Sequence, residues 1–151
     1  MVHDIVEVLE GTCDDVVCSS GPHIRRLANV EHLHTPITAR KRFDVRGIDI
    51  ARKLHPTPAV GGRPRQSALQ FIATHEHLNR GWYSGVVGAM NAKRLTLAVA
   101  LRSALVDKSS ARLFVGAGIV QGSTPEDEWI ETERKAQAML TALGVARVAV
   151  V

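Results

Sequence analysis

Aromatic side chains are scarce in this sequence: Phe, Trp and Tyr together make up 4% of 151 residues. Proteins that bind single-stranded nucleic acid stack bases on aromatic platforms within a basic groove. The formal charge is only +4, and the basic residues are scattered, with one denser stretch from Arg40 to Arg46. That distribution lacks the concentrated stripe of a nucleic-acid interface, so no nucleic acid partner is expected. A small anionic substrate suits a mild positive balance equally well. Long apolar runs are missing too: none approaches the roughly 18 to 20 residues needed to cross a bilayer. Met1-Val2-His3-Asp4 also lacks the basic-then-apolar layout of a secretory leader. No membrane partner and a cytoplasmic location are therefore expected. Cysteine is limited to Cys13 and Cys18, whose Cys-x4-Cys spacing matches no tight zinc pattern. Free, reduced thiols are expected in a cytosolic chain. With no internal repeat and no low-complexity linker, a single domain over residues 1–151 is expected.

What is present is a clear order of elements. Ile5, Val8 and Leu9 recur at helical spacing and stop at Gly11, which predicts a helix over 2–10. No capping residue precedes it, which suggests further chain upstream. Leu27 to Arg40 is rich in β-branched residues and reads as a strand that Pro36 demotes slightly. Gly47 to Leu54 reads as a second helix. The stretch from His55 to Pro64, with prolines at 56, 58 and 64, is expected to hold no regular structure. Pro64 opens a helix to about His77. Three β runs follow, Trp82–Ala89, Leu95–Val106 and Arg112–Val120, joined by short polar gaps that predict an antiparallel meander. A long helix runs from Pro125 to Leu143, with Thr124 as N-cap, acids in its first turn and Gly144 closing it. Val145 to Val151 is a short apolar tail. The order predicts an α+β fold with a largely antiparallel sheet and flanking helices.

Several residues in these elements suit anion or metal chemistry. Alternation along Leu95–Arg102 puts Leu95, Leu97, Val99 and Leu101 on one face, and Thr96, Ala98, Ala100 and Arg102 on the other. An arginine ending a small-residue face can meet an anion by two parallel hydrogen bonds, or can simply be exposed at a strand end. Gly116 and Gly118 on one strand face would bare the backbone to a ligand; a bulge or close packing explains them equally well. On the last helix, Glu128, Glu131 and Lys135 fall in one sector beside the apolar stripe of Trp129, Ala136, Met139, Leu140 and Leu143. Two such carboxylates can hold Mg²⁺, with the lysine pairing an anion that the metal also binds. A solvated face with a Glu131–Lys135 ion pair is the alternative. His75-Glu76-His77 is discounted as a metal motif, because its rings point apart on a helix.

The segments His32-Leu33-His34-Thr35, Leu54–Gly62, Arg80-Gly81-Trp82-Tyr83-Ser84-Gly85, Ala100-Leu101-Arg102, Gly116-Ala117-Gly118-Ile119 and Glu128–Lys135 together resemble the C-terminal part of the chorismate-binding enzyme family. That family includes anthranilate, aminodeoxychorismate, isochorismate and salicylate synthases. The loop Pro56-Thr57-Pro58-Ala59-Val60-Gly61-Gly62 resembles the isochorismate synthase branch in particular. The resemblance implies the C-terminal portion of the family's α/β sandwich and a Mg²⁺-dependent conversion of chorismate to isochorismate. It further implies that Tyr83 and Arg102 contact the substrate's enolpyruvyl side, that Gly116 and Gly118 present backbone to it, and that Lys135 assists carboxylate binding. His32 would sit in the ring pocket, Glu128 would ligate Mg²⁺ directly, and Glu131 would act through water.

The same resemblance places the family's lysine base, its glutamate acid and its other metal-binding glutamate upstream of the matched segment. No residue of this chain can be assigned those roles. A truncated domain is therefore expected, inactive or incomplete by itself, with a second chain supplying the N-terminal half. An anthranilate or aminodeoxychorismate synthase component and a non-catalytic remnant or interaction module are the alternatives. Isochorismate from this kind of site serves siderophore, salicylate or menaquinone synthesis alike.

Overall fold

The chain divides into two units, Met1–Arg65 and Gln66–Val151; the structure, a computed structural model, describes residues 1–26 and 31–145. In the first unit, helix α1 (Val2–Glu10) leads into strand β1 (Cys13–Cys18). The turn between them is tight: the Gly11 N–H donates to Glu7 O at 3.2 Å and Thr12 Oγ1 donates to Val8 O at 2.9 Å. Strands β2 (His23–Arg26) and β3 (Glu31–His34) pair with each other, and β4 (Ile37–Lys41) returns antiparallel to β1. That pairing slips between Asp14 and Val17, where Asp15 takes a φ of +50°. Helices α2 (Gly47–Leu54) and α3 (Pro58–Gly61) complete the unit, with α1 packed on both β1 and α2.

Arg42, just past β4, fastens the α1–β1 turn. Its Nη2 donates to Glu10 O at 3.0 Å and Cys13 O at 3.4 Å, its Nη1 to Gly11 O at 3.4 Å, and its Nε to Asp14 Oδ1 at 3.1 Å. Free carbonyls at a helix C-terminus favour a cation. Arg42→Ala is expected to destabilise the first unit by about 1–2 kcal/mol, read as a lower denaturant midpoint with an unchanged slope.

In the second unit, α4 (Arg65–His75) continues from the boundary, followed by two hairpins and a long helix. Strands β5 (Val86–Met90) and β6 (Leu95–Val99) pair in uniform register from Val86↔Val99 to Met90↔Leu95. Their turn is closed by Asn91 Oδ1, which accepts the N–H groups of Lys93 and Arg94 at 2.9 and 2.8 Å. Strands β7 (Ser103–Asp107) and β8 (Ser110–Phe114) form the other hairpin, and α5 (Pro125–Ala142) ends the described part. All four strand pairings among the described residues are antiparallel and the helices flank them, which is the α+β class expected.

Four sequence expectations need correction. The strand expected over 27–40 is interrupted at Thr35-Pro36, because proline has no N–H to give a ladder; β3 and β4 belong to different pairs, and Leu27–Val30 lie outside the described residues. The proline-rich stretch is not wholly irregular: Thr57 is extended, Pro58 takes the first helical position with its preset φ, and α3 forms. The run 95–106 is two strands, broken where Leu101 N–H turns back to Val99 O at 2.8 Å and Arg102 takes a φ of +48°. The run 112–120 ends at Phe114, so Gly116 and Gly118 follow the strand and do not lie in it. The expected meander is thus two separate hairpins.

The last helix matches its signals. Thr124 Oγ1 accepts the Asp127 N–H at 3.2 Å, Pro125 opens the helix, and Gly144 takes a φ of +70°. Beyond Val145 the apolar tail lies outside the described residues. Among the described residues no helix is long and apolar enough to cross a membrane. Both cysteines are free thiols, as expected.

Cys13 is the one buried hydrophobic side chain among the described residues. In β6, Leu95, Leu97 and Val99 are half-buried and Thr96 and Ala98 exposed, as alternation predicts. Leu101, expected on the packed face, is exposed because the strand has already ended.

Candidate functional site

The second unit gathers most of the chemically capable residues. Past α4, Arg80 grips Glu76 with two parallel bonds, Nε to Oε1 at 2.6 Å and Nη2 to Oε2 at 2.5 Å. Its Nη1 donates to the hydroxyl of buried Ser84 at 3.1 Å, and its guanidinium sits 5.8 Å from the Tyr83 ring centroid. The turn Arg80–Gly85 is thereby fixed, and Ser84 is held at a φ of +59°, costly for a residue with a Cβ. Tyr83 also stacks on Phe114, with centroids 6.0 Å apart. Burial pushes its phenol above the ordinary value, with Arg80 opposing and Glu76 adding to the rise.

Tyr83 in turn explains Gly116. A Cβ there would stand 2.5 Å from the tyrosine hydroxyl, so only glycine lets the ring lie where it does. The Gly116 carbonyl accepts a hydrogen bond from Lys135 Nζ at 3.0 Å, while the same ammonium pairs with Glu131 on its own helix. The Glu131 carboxyl is held below its ordinary range, chiefly by the hydrogen bond and charge of Lys135, with Arg102 contributing. Arg102 is half-buried and takes no hydrogen-bond or ion-pair partner among the described residues. A partly desolvated guanidinium without an internal partner is available to an anion. No acceptor among the described residues takes the N–H of Gly116 or Gly118 either.

Glu128 is the other open group. Ser123 Oγ donates to its Oε1, whereas its Oε2 is buried with no partner. Glu128 is among the residues lining a cleft of about 490 Å³, with Val115, Ala117 and Ile119 and the first turns of α5. A shielded, unpaired carboxylate oxygen costs free energy unless a cation or donor meets it, so Glu128 fits one ligand of a hard cation. Among the described residues no group of three or more His, Cys, Asp or Glu comes together. Glu131 is spoken for by Lys135, the i,i+4 pair named above as the alternative. Trp129, expected in the packed stripe of α5, is 55% exposed and lines the same cleft.

His32 lies in the first unit, exposed on β3 opposite Arg25. His75 is occupied locally, its Nδ1 2.9 Å from Phe71 O and its ring stacked on Phe71.

Residues 1–144 match the sequence profile of the chorismate binding enzyme family. The chain belongs to the chorismate-binding enzymes. It is 40% identical to the isochorismate synthase MenF of Bacillus subtilis over 151 residues, which covers 96% of this chain and 32% of that protein. It is 43% identical to the salicylate biosynthesis isochorismate synthase of Pseudomonas aeruginosa over 145 residues, 95% of this chain and 30% of that one. Among solved structures it superposes on the Bacillus anthracis protein DhbC, assigned there as a 2,3-dihydroxybenzoate-specific isochorismate synthase. The TM-score is 0.85 at 31% identity, covering 95% of this chain and 39% of DhbC. The chain thus spans about a third of the length of the curated relatives it matches.

The sequence reading missed the roles of Glu76, Arg80, Ser84 and Ser123. The available signal was the i,i+4 spacing of Glu76 and Arg80 just beyond a helix end, which leaves the pair free to clamp a turn. Arg80 holds the Glu76 carboxyl below its ordinary value of 4.5. The clamp therefore stabilises fully above that value and is lost as pH falls through the lowered one. Glu76→Gln is expected to weaken the second unit at neutral pH and to flatten its loss of stability below pH 4.5. Urea midpoints recorded across that range check it.

Proposed function

We propose that residues 1–151 form the substrate-carboxylate side, and one carboxylate ligand of the metal site, in an enzyme that converts chorismate to isochorismate. The observation that carries this reading is the unpaired, buried Oε2 of Glu128, on the helix whose Lys135 bonds the Gly116 backbone. Arg102 and the free N–H groups of Gly116 and Gly118 receive carboxylate oxygens, Lys135 adds positive charge beside them, and Tyr83 bounds the enolpyruvyl side. Glu128 would hold Mg²⁺ directly, while Glu131 stays paired with Lys135; when bound, the ion neutralises substrate carboxylate charge.

The reaction adds water at C2 as the C4 hydroxyl departs, so it needs a base for the water and an acid for the leaving group. Within residues 1–151 the basic and acidic side chains of the site are engaged in binding or pairing, and those two roles are assigned to a second polypeptide segment. The names of the relatives favour isochorismate as product, leading to salicylate, other siderophore precursors or menaquinone. Purified 1–151 incubated with chorismate and Mg²⁺ is expected to yield no isochorismate. Turnover by this polypeptide alone would overturn the assignment of acid and base. An amino product formed with ammonium would point to an anthranilate or aminodeoxychorismate synthase, and chorismate binding that no complementing segment converts to turnover would point to a binding module.

A further inference from the structure

Glu76 and Arg80 stand four residues apart, the first directly after α4 and the second opening the turn that leads to β5. On the surface of a continuing helix such a pair would contribute little. The helix stops at His75 instead, and the arginine takes both oxygens of the carboxylate, Nε to Oε1 at 2.6 Å and Nη2 to Oε2 at 2.5 Å. The two side chains are only 28% and 29% exposed. A two-pronged pair largely out of water leaves the guanidinium one orientation.

From that guanidinium the order spreads through Tyr83. Arg80 sits over the tyrosine ring, 5.8 Å from its centroid, within the range of a cation–π contact. The turn that carries Tyr83 is tied to the end of β6, because Ser84 N–H donates to Ala100 O at 2.8 Å and Ala100 N–H to Gly85 O at 2.9 Å. Phe114, the last residue of β8, stacks on the same ring. The tyrosine hydroxyl then meets Gly116, two residues further on. A Cβ on Gly116 would stand 2.5 Å from the phenol oxygen but 3.6 Å from Cζ, so the hydroxyl alone makes the close contact. Lys135 Nζ donates to the Gly116 carbonyl at 3.0 Å. The Gly116 backbone is thus held from α5 by a hydrogen bond and from the Arg80 turn by a ring.

We infer that Glu76 and Arg80 are positioning residues for the anion-binding backbone at Gly116, acting through the Tyr83 ring. The inference rests on the functional reading above, in which the Gly116 N–H receives a substrate carboxylate oxygen, but the link itself is tested separately. Neither charged residue has to touch the substrate. A binding group misplaced by about 1 Å through a change far from the chemistry can cost about 100-fold, so control of the ring is control of the site.

The link is read on the chain itself, by urea unfolding of single and double variants at neutral pH. Gly116→Ala should lower the midpoint, and adding Tyr83→Phe should restore most of it, because the nearest ring atom is then Cζ at ordinary contact distance. With Glu76→Gln the ring is no longer held, so Gly116→Ala should shift the unfolding equilibrium about fivefold less than in the parent chain. Arg80→Lys, which keeps the charge and loses the fork, should act the same way. The positioning role is read in the complex with the part of Bacillus subtilis MenF that this chain does not match, at a temperature where every variant is folded. There Glu76→Gln should raise KM for chorismate about tenfold and leave kcat within about twofold. Gly116→Ala losses that are the same with and without Glu76 overturn the inference, as does a Tyr83→Phe that restores nothing. So does a complex that turns over chorismate with KM unmoved by Glu76→Gln, which would make the pair purely structural. Coupling in the chain, with a complex that leaves chorismate unchanged, would remove the functional reading and leave the link from Glu76 to Gly116 standing.

Discussion

Glu128→Gln is expected to abolish the response to Mg²⁺ while leaving the fold intact. The wild-type carboxylate has one oxygen held by Ser123 and the other buried without a partner. A neutral amide still accepts from Ser123 but no longer offers negative charge to a cation, and it removes a shielded charge that no cationic group among the described residues pairs with. In a complemented enzyme, Mg²⁺-dependent turnover should therefore fall by more than the roughly 10- to 100-fold typical of losing a group behind the metal ligands. The thermal midpoint of 1–151 should stay level or rise, which is the pattern of a residue kept for function at the expense of stability. Calorimetric Mg²⁺ titration and a melt on the same samples separate the two effects. A drop in stability with Mg²⁺ dependence retained would make Glu128 a structural residue.

Arg102→Ala should raise the chorismate concentration needed for half-maximal rate about 100-fold, as expected for about 3 kcal/mol from a charged, two-pronged contact. Arg102→Lys should recover little of this, because an ammonium keeps the charge but loses the fork. Stability should move the other way. Arg102 takes no hydrogen bond or ion pair among the described residues and sits at a φ of +48°, so Arg102→Gly should relieve strain of about 1 kcal/mol. Equal losses of binding and stability in all three variants would show that the side chain supports the hairpins and does not meet substrate.

The parts of the molecule legible from sequence are those that local chemistry determines. Thr124, Pro125, the acids of the first turn and Gly144 each act within a few residues of themselves, and α5 begins and ends where they direct. Likewise, β6 alternates because its side chains do. The failures lie where a distant group decides. Leu95–Val106 looks continuous, yet Ser84, fixed from Arg80, donates its N–H to Ala100 O at 2.8 Å, and the chain turns at Arg102. Gly116 suggests bare backbone for a ligand, but the structure shows a closer cause, the Tyr83 hydroxyl that its missing Cβ admits. Spacing alone makes the carboxylate pair on α5 one unit; the structure divides it, with Glu131 committed to Lys135 and Glu128 without a partner on its Oε2. Spacing on a helix brings groups to one sector, but the partners beyond the helix decide which of them remains available.

The most direct test of the account is the product formed from chorismate and Mg²⁺ by residues 1–151 joined with a polypeptide that carries the lysine base and glutamate acid. The account predicts isochorismate from the complex, lost on chelating the metal or replacing Glu128, and none from either part alone. Isochorismate from 1–151 by itself, or a well-formed one-to-one complex that leaves chorismate unchanged, would contradict it.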